Sequence, residues 1–280
     1  MKYELYSGAG NDFVMIDNIT EKIPFEKQQE LTIKLCTDNF PQIDGVIFAD
    51  KPKSEGAAVR MNYYNRDGSF GAMCGNGARC IAMFAFKTGI TEKKKFTLEA
   101  VDDTYIAEIL DDETVKIDFP EPKEIRTDII ITDETEKPLS VSCTDVGSDH
   151  IIVFIDEDLN KLYLNCSNMD MLDVDNTGRK LRFHKDFEPR GGNVNFAQVL
   201  NDGTIRLRTY ERGVERETLA CGTGIISTGI IAMLKKGFTS PVKIKVQSGE
   251  VLMVNGKIEA GRIMGLSLTG SARKFGEGSL

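Results

Sequence analysis

The sequence predicts an α/β protein of the α+β type. Two pseudo-symmetric domains from an internal duplication are expected. Each is a curved, mostly antiparallel sheet around a central apolar helix, with an active site in the cleft between them. Three blocks that occur twice, in the same order, carry that prediction. One such match is easily a coincidence; three in the same order point to duplication.

The first block is Gly10-Asn11-Asp12-Phe13-Val14-Met15-Ile16-Asp17, echoed by Gly147-Ser148-Asp149-His150 and the apolar run from Ile151 to Ile155 before Asp156. Each is a glycine turn leading into a buried strand. The second is Arg60-Met61-Asn62-Tyr63-Tyr64-Asn65-Arg66-Asp67-Gly68, echoed by Arg206-Leu207-Arg208-Thr209-Tyr210-Glu211-Arg212-Gly213. Both read as a strand running into a glycine turn. In the third, Met73-Cys74-Gly75-Asn76-Gly77 precedes an apolar stretch from Ala78 to Phe86. Its echo, Ala220-Cys221-Gly222-Thr223-Gly224, precedes Ile225 to Leu234. Each stretch ends in basic residues and a glycine, which are helix C-terminal signals. Apolar nearly all round, each helix is expected at the centre of its own half. Strand patterns follow both, from Lys95 to Ile109 and from Val242 to Val254.

A boundary fits at Phe119-Pro120-Glu121-Pro122, where prolines interrupt strand character. The halves are therefore residues 1–119 and 120–267, with the tail 268–280 returning to the first. The segments from Thr132 to Lys137 and from Asp156 to Lys161 read as solvated surface loops.

Composition excludes several functions. The chain has 280 residues, 41% hydrophobic and 28% charged, enough for a sizeable core. A formal net charge of −8 argues against general nucleic-acid binding. No stretch approaches a membrane span, and Met1 to Gly10 does not read as a secretory signal, so a cytoplasmic protein is expected. The six cysteines lack any CxxC spacing, and the two histidines, His150 and His184, sit at no metal-ligand spacing to them. No metal and no cofactor are expected: no GxGxxG follows a strand, and there is no Walker loop and no pyridoxal-phosphate lysine signature.

Cys74 and Cys221 stand apart from the other cysteines. Cys36, Cys80, Cys143 and Cys166 read as small buried hydrophobes. A cysteine at the mouth of a helix faces unpaired N–H groups and the positive end of the macrodipole. That setting favours a thiolate and can lower a thiol pKa from about 8.5 into the range of roughly 3.5–7.5. Flanking glycines let the backbone approach an anion closely. Two such cysteines at equivalent points of a repeat suit inversion at a carbon, one removing a proton while the other delivers one to the opposite face.

At these residues the sequence resembles the diaminopimelate epimerase family. The shared strings are Ser7-Gly8-Ala9-Gly10-Asn11-Asp12-Phe13, Asn65 through Cys80, Asn193-Val194-Asn195-Phe196, and Tyr210 through Gly224. The resemblance implies cofactor-independent interconversion of LL- and meso-diaminopimelate, in lysine and peptidoglycan precursor synthesis, with Cys74 and Cys221 as acid/base residues. It implies that Gly75, Asn76, Gly222 and Thr223 cradle the reacting carboxylate. Asn11, Asn65, Asn193 and Arg212 fall on substrate-contacting positions, Arg212 being suited to the distal carboxylate. Glu211 can hold a substrate ammonium, and His150 and Glu211 match positions that tune the thiols. The implied partner is a small amino-acid substrate, with no nucleic acid or membrane; a homodimer is compatible with the sequence.

Plainer readings stand beside these. Asn65 and Asn193 can be turn residues, Glu211 and Arg212 a surface pair, and His150 a structural histidine. One departure matters. Where the family usually reads Gly-Asn-Pro-His, this chain has Gly147-Ser148-Asp149-His150. Ser148 is a shorter substrate contact than asparagine, and Asp149 adds negative charge where a carboxylate has to bind. Two alternatives follow: a racemase of another amino acid, such as histidine, on the same fold, or a non-catalytic amino-acid-binding relative.

Overall fold

The computed structural model describes residues 1–71, 73–101, 103–132, 136–166 and 168–280. Two units divide it, Met1–Phe119 with Thr269–Leu280, and Pro120–Leu268. Among the described residues no helix is long and apolar enough to cross a membrane.

The first unit holds β1 (Lys2–Gly8), β2 (Asn11–Asp17), α1 (Asn18–Glu21), α2 (Phe25–Lys34), β3 (Gly45–Asp50), β4 (Ala57–Asn65), α3 (Gly75–Lys87), β5 (Lys95–Ala100), β6 (Asp103–Ile109) and β7 (Thr114–Asp118). Going from β1 to β6, neighbouring strands pair antiparallel, parallel, antiparallel, parallel, antiparallel. Antiparallel neighbours can be joined by a tight turn, and the β1–β2 turn at Ala9 and Gly10 has φ of 56° and 90°. Parallel neighbours need a crossover. Here α1 and α2 supply one, between β2 and β3, and α3 the other, between β4 and β5.

The second unit repeats the plan with β8 (Glu124–Thr132), β9 (Pro138–Asp145), β10 (Asp149–Phe154), α4 (Asp158–Leu164), α5 (Val174–Arg182), β11 (Asn193–Val199), β12 (Ile205–Glu211), β13 (Arg216–Thr218), α6 (Gly222–Lys235), β14 (Val242–Lys245) and β15 (Val251–Glu259). Along β9, β10, β11, β12, β14 and β15 the pairing is again antiparallel, parallel, antiparallel, parallel, antiparallel. The register repeats too: Phe13 opposes Gly45 as His150 opposes Asn193. The three repeated blocks of sequence are thus equivalent pieces of one topology. β16 (Arg262–Ser271) follows, and β17 (Arg273–Ser279) pairs antiparallel with β1, from Lys2 opposite Ser279 to Ser7 opposite Arg273.

Each central helix is the core of its unit. α3 packs on β1, β2, β3, β4, β6 and β7, and α6 on β9, β10, β11, β14 and β15. Both begin at the residue after the cysteine, not three residues later as the apolar pattern suggests. The Cys-Gly-X-Gly string is itself the first turn. The glycines make that possible: a Cβ at Gly77 would lie 2.8 Å from Ile47 Cδ1, and one at Gly224 would collide with Asn195 Oδ1.

One expected loop is a helix. Residues 158–164 form α4 because Asn160, fully buried, ties backbone together: its Nδ2 donates to the carbonyls of Ser140 and Phe154, both at 2.9 Å, and its Oδ1 accepts from the Ser140 N–H at 2.8 Å. Half of the other expected loop, 132–137, lies at residues 133–135, outside the described residues.

Candidate active site

Cys74 is the N-cap of α3, with an extended backbone (φ −102°, ψ 111°), and its Sγ accepts the Gly77 N–H at 3.4 Å. Behind it runs a chain of amides. Asn76 Nδ2 donates to Asn11 Oδ1 at 2.6 Å, bringing the start of β2 to the start of α3. Asn76 can point that way because Arg79 holds its other end. The fully buried Arg79 guanidinium donates from Nη2 to Asn76 Oδ1 at 2.9 Å, from Nη1 to the Gly75 carbonyl at 3.1 Å, and from Nε to the Ser271 carbonyl at 3.1 Å. A buried cation is costly unless its donors are matched, so these acceptors anchor the helix start. Arg79 was not singled out from sequence; a lone arginine in an apolar helix was the available signal. Asp44 was also missed. It accepts the Asp12 N–H at 2.8 Å, and burial pushes its carboxyl above the usual range, against bonds from Asp12 and Asn11.

Asn65 closes a turn. Its Nδ2 donates to Ser69 Oγ at 3.0 Å and its Oδ1 accepts from Tyr63 Oη–H at 2.7 Å. The first unit therefore brings Asn11, Cys74, Gly75 and Asn76 together, and gives Asn65 the contacts of a turn residue.

Cys221 is the N-cap of α6, again extended (φ −124°, ψ 111°). Its surroundings differ from those of Cys74. Its Sγ lies 3.5 Å from Thr223 Oγ1, which lies 2.9 Å from His150 Nε2; Ser148 Oγ lies 2.9 Å from the same nitrogen and donates to Thr223 Oγ1 at 3.1 Å. Ser148 lies in the bend just before β10 and His150 is the second residue of that strand, and both side chains turn to Thr223.

The sense of this network follows from Asn195, which is fully buried. Asn195 Oδ1 accepts from Thr209 Oγ1 at 3.0 Å, and its Nδ2 faces the carbonyls of Ile151 and Asn193, both at 3.3 Å. Those neighbours fix the amide so that Nδ2 donates to His150 Nδ1 at 3.0 Å. Nδ1 is then an acceptor, and the ring proton sits on Nε2. Nε2–H donates toward the two hydroxyls, and the Thr223 proton is left to point at Cys221 Sγ. A donor aimed at sulfur favours the thiolate.

Burial, and then the positive charge of Arg212, depress the His150 pKa from 6.5 to about 3, so the ring is neutral near pH 7. The unfolded chain takes up the proton first. Stability is expected in full above pH 6.5 and to drain as pH falls toward 3. The steepest loss is about 1.4 kcal/mol per pH unit. Denaturant unfolding between pH 7 and pH 5 measures it, and His150→Gln should remove this component of the slope.

Glu211 Oε2 accepts from Thr218 Oγ1 at 2.9 Å. Asn193, also buried, bridges strands: its Nδ2 donates to the Asp149 carbonyl at 3.1 Å and its Oδ1 accepts the Arg212 N–H at 2.9 Å. Arg212 Nη1 donates to Asp149 Oδ2 at 3.1 Å. The second unit thus connects Ser148, His150, Cys221 and Thr223 in one network, and Asn193 and Arg212 in another, with Gly222 as the first residue of α6. The remaining cysteines are buried, and burial raises the thiol pKa of Cys36, Cys166 and Cys143, the last to about 11.

The chain is similar to known proteins in sequence and in fold. Residues 3–124 and 142–275 match the family model described as diaminopimelate epimerase. The chain is 38% identical over 251 residues to the diaminopimelate epimerase of Chlorobaculum tepidum, covering 89% of this chain and 90% of that protein. With that of Aquifex aeolicus it shares 35% identity, covering 100% and 98%. Among solved structures it resembles a hydroxyproline epimerase from Agrobacterium vitis (TM-score 0.70, 16% identity, 100% and 90% covered) and a Bacillus anthracis PhzF-family protein (TM-score 0.72, 15% identity, 100% and 98% covered). The likeness shows a shared two-domain epimerase fold, and the sequence matches show more: the chain belongs to the diaminopimelate epimerase family, a family of isomerases.

Proposed function

We propose that the protein interconverts LL- and meso-diaminopimelate, with Cys74 and Cys221 as the two acid/base groups, in the supply of lysine and peptidoglycan precursors. The observation that carries the reading is the duplicated device: each unit caps its central helix with a cysteine, followed by Gly-X-Gly. Residues 1–119 with 268–280, and residues 120–267, are the two catalytic halves. An amino-acid α-hydrogen is very weakly acidic, so the carbanion-like transition state needs preorganised donors. Gly75, Asn76, Gly222 and Thr223, at the two helix starts, offer them to the α-carboxylate. Asn11 and Asn65 contact the substrate on one side, and Asn193 holds Arg212, whose guanidinium takes the distal carboxylate. Glu211 takes an ammonium group. His150 acts on Cys221 through Thr223 and Ser148.

The reading requires the two thiols to reach opposite faces of one α-carbon. In the forward direction one thiolate removes the α-proton and the other thiol donates its own; the reverse direction exchanges the roles. A racemase of another amino acid is the competing reading, favoured by the Ser148 hydroxyl being engaged with His150 and Thr223. Deuterium wash-in at the α-carbon, with LL-diaminopimelate beside a panel of other L-amino acids, separates the two. Exchange and inversion of diaminopimelate are expected. Exchange into another amino acid, with none into diaminopimelate, would sink the assignment.

A further inference from the structure

Asp149 stands at the start of β10, one residue from Ser148 and from His150, with its side chain on the other face of the strand. It is braced between two arginines. Oδ1 accepts from Arg190 Nη2 at 2.9 Å and Oδ2 from Arg212 Nη1 at 3.1 Å. Its backbone is held as well, because the buried Asn193 amide bonds both the Asp149 carbonyl and the Arg212 N–H.

The way Asp149 meets Arg212 decides what the contact does. A guanidinium binds a carboxylate best through its Nε/Nη2 edge, with two parallel bonds. A carboxylate competing with a ligand for Arg212 would take that edge. Asp149 takes Nη1 alone, and the Gly191 carbonyl accepts from the same nitrogen at 3.3 Å. Among the described residues the guanidinium bonds of Arg212 all fall on Nη1. The bidentate edge is left over. The charges agree: two guanidiniums and one carboxylate sum to one positive charge, enough to attract one further carboxylate.

We propose that Asp149 is a positioning residue that sets distal specificity, holding Arg212 by Nη1 so that its Nε/Nη2 edge is presented to a carboxylate of the substrate. This rests on the reading that Arg212 takes the distal carboxylate. Arg190, which is mostly exposed, braces Asp149 from outside. The negative charge that looks hostile to a dicarboxylic substrate in the sequence is, on this geometry, spent on orienting the cation that binds it.

The test is steady-state kinetics of Asp149→Ala, Asp149→Asn and Arg212→Ala with LL-diaminopimelate, each chain first checked by thermal unfolding. Asp149→Ala is expected to raise KM about tenfold with kcat within twofold. Asp149→Asn, which keeps an acceptor but not the charge, should fall between it and the parent. Arg212→Ala should raise KM further than either. If Asp149→Ala leaves KM unchanged or lowers it while Arg212→Ala raises it, the proposal is overturned and the reading of Arg212 stands. A fall in kcat equal to the rise in KM would mean a general structural role and also overturn it. If Arg212→Ala leaves KM unchanged, the reading of Arg212 itself fails, and the proposal with it.

Discussion

Cys74→Ala and Cys221→Ala are each expected to lower epimerisation about 10⁴-fold, the upper end of what a positioned acid or base contributes. Each thiol serves as base in one direction and acid in the other, so no direction survives the loss of either. Overall turnover is the blunt readout. The sharper one is α-deuterium wash-in without inversion. The thiol that remains can still remove the proton from its own face of the α-carbon, and solvent deuterium can return to that face. Cys74→Ala should therefore keep slow exchange on one epimer, and Cys221→Ala on the other. Exchange of both epimers by a single variant would place the proton transfers on other groups. Alanine suits the test because both positions are N-caps with extended backbone, and Cys221 has no side-chain cap bond to a helix N–H to lose.

Thr223→Val is the second large effect expected, a loss of about 10- to 100-fold in turnover. Valine matches the shape of threonine and removes only the hydroxyl that links His150 to Cys221. A hydrogen bond to a charged group is worth about 1.5–3 kcal/mol, which sets the range. The acid limb of kcat/KM should move to higher pH, because the thiolate loses a donor that the thiol does not need. Alkylation of Cys221 by iodoacetamide should slow in parallel, while that of Cys74, which takes its bond from the Gly77 N–H, should not. Thr223→Ser should restore both. A valine variant with an unshifted acid limb would show that the His150 network does not act on Cys221.

Much of this was legible in the sequence because duplication prints the same constraint twice. The helix mouths, the two cysteines and the strand blocks were readable as repeats. Which strands pair in parallel was not, since that depends on where each crossover lands its next strand. Nor were Arg79 and Asn195, whose partners include residues as distant in sequence as Ser271 and Thr209. Ser148 and Asp149 show how near the limit lies. Both read as changes at the substrate's far end. Along a strand, adjacent residues face opposite ways. Asp149 and His150 therefore part: Asp149 joins Arg190 and Arg212, while Ser148, in the bend before the strand, joins His150 and Thr223.

The pairing of β17 with β1 bears on the order in which the chain can fold as it is made. Pro120–Leu268 is continuous, so the second unit has all its residues once that stretch leaves the ribosome. The first unit begins emerging earlier yet lacks Thr269–Leu280 until synthesis reaches them. Until then β1 has an unpaired edge, of the kind that invites pairing with another chain. The half translated first is thus the half completed last, and the hazard of misassembly falls on β1 during that wait.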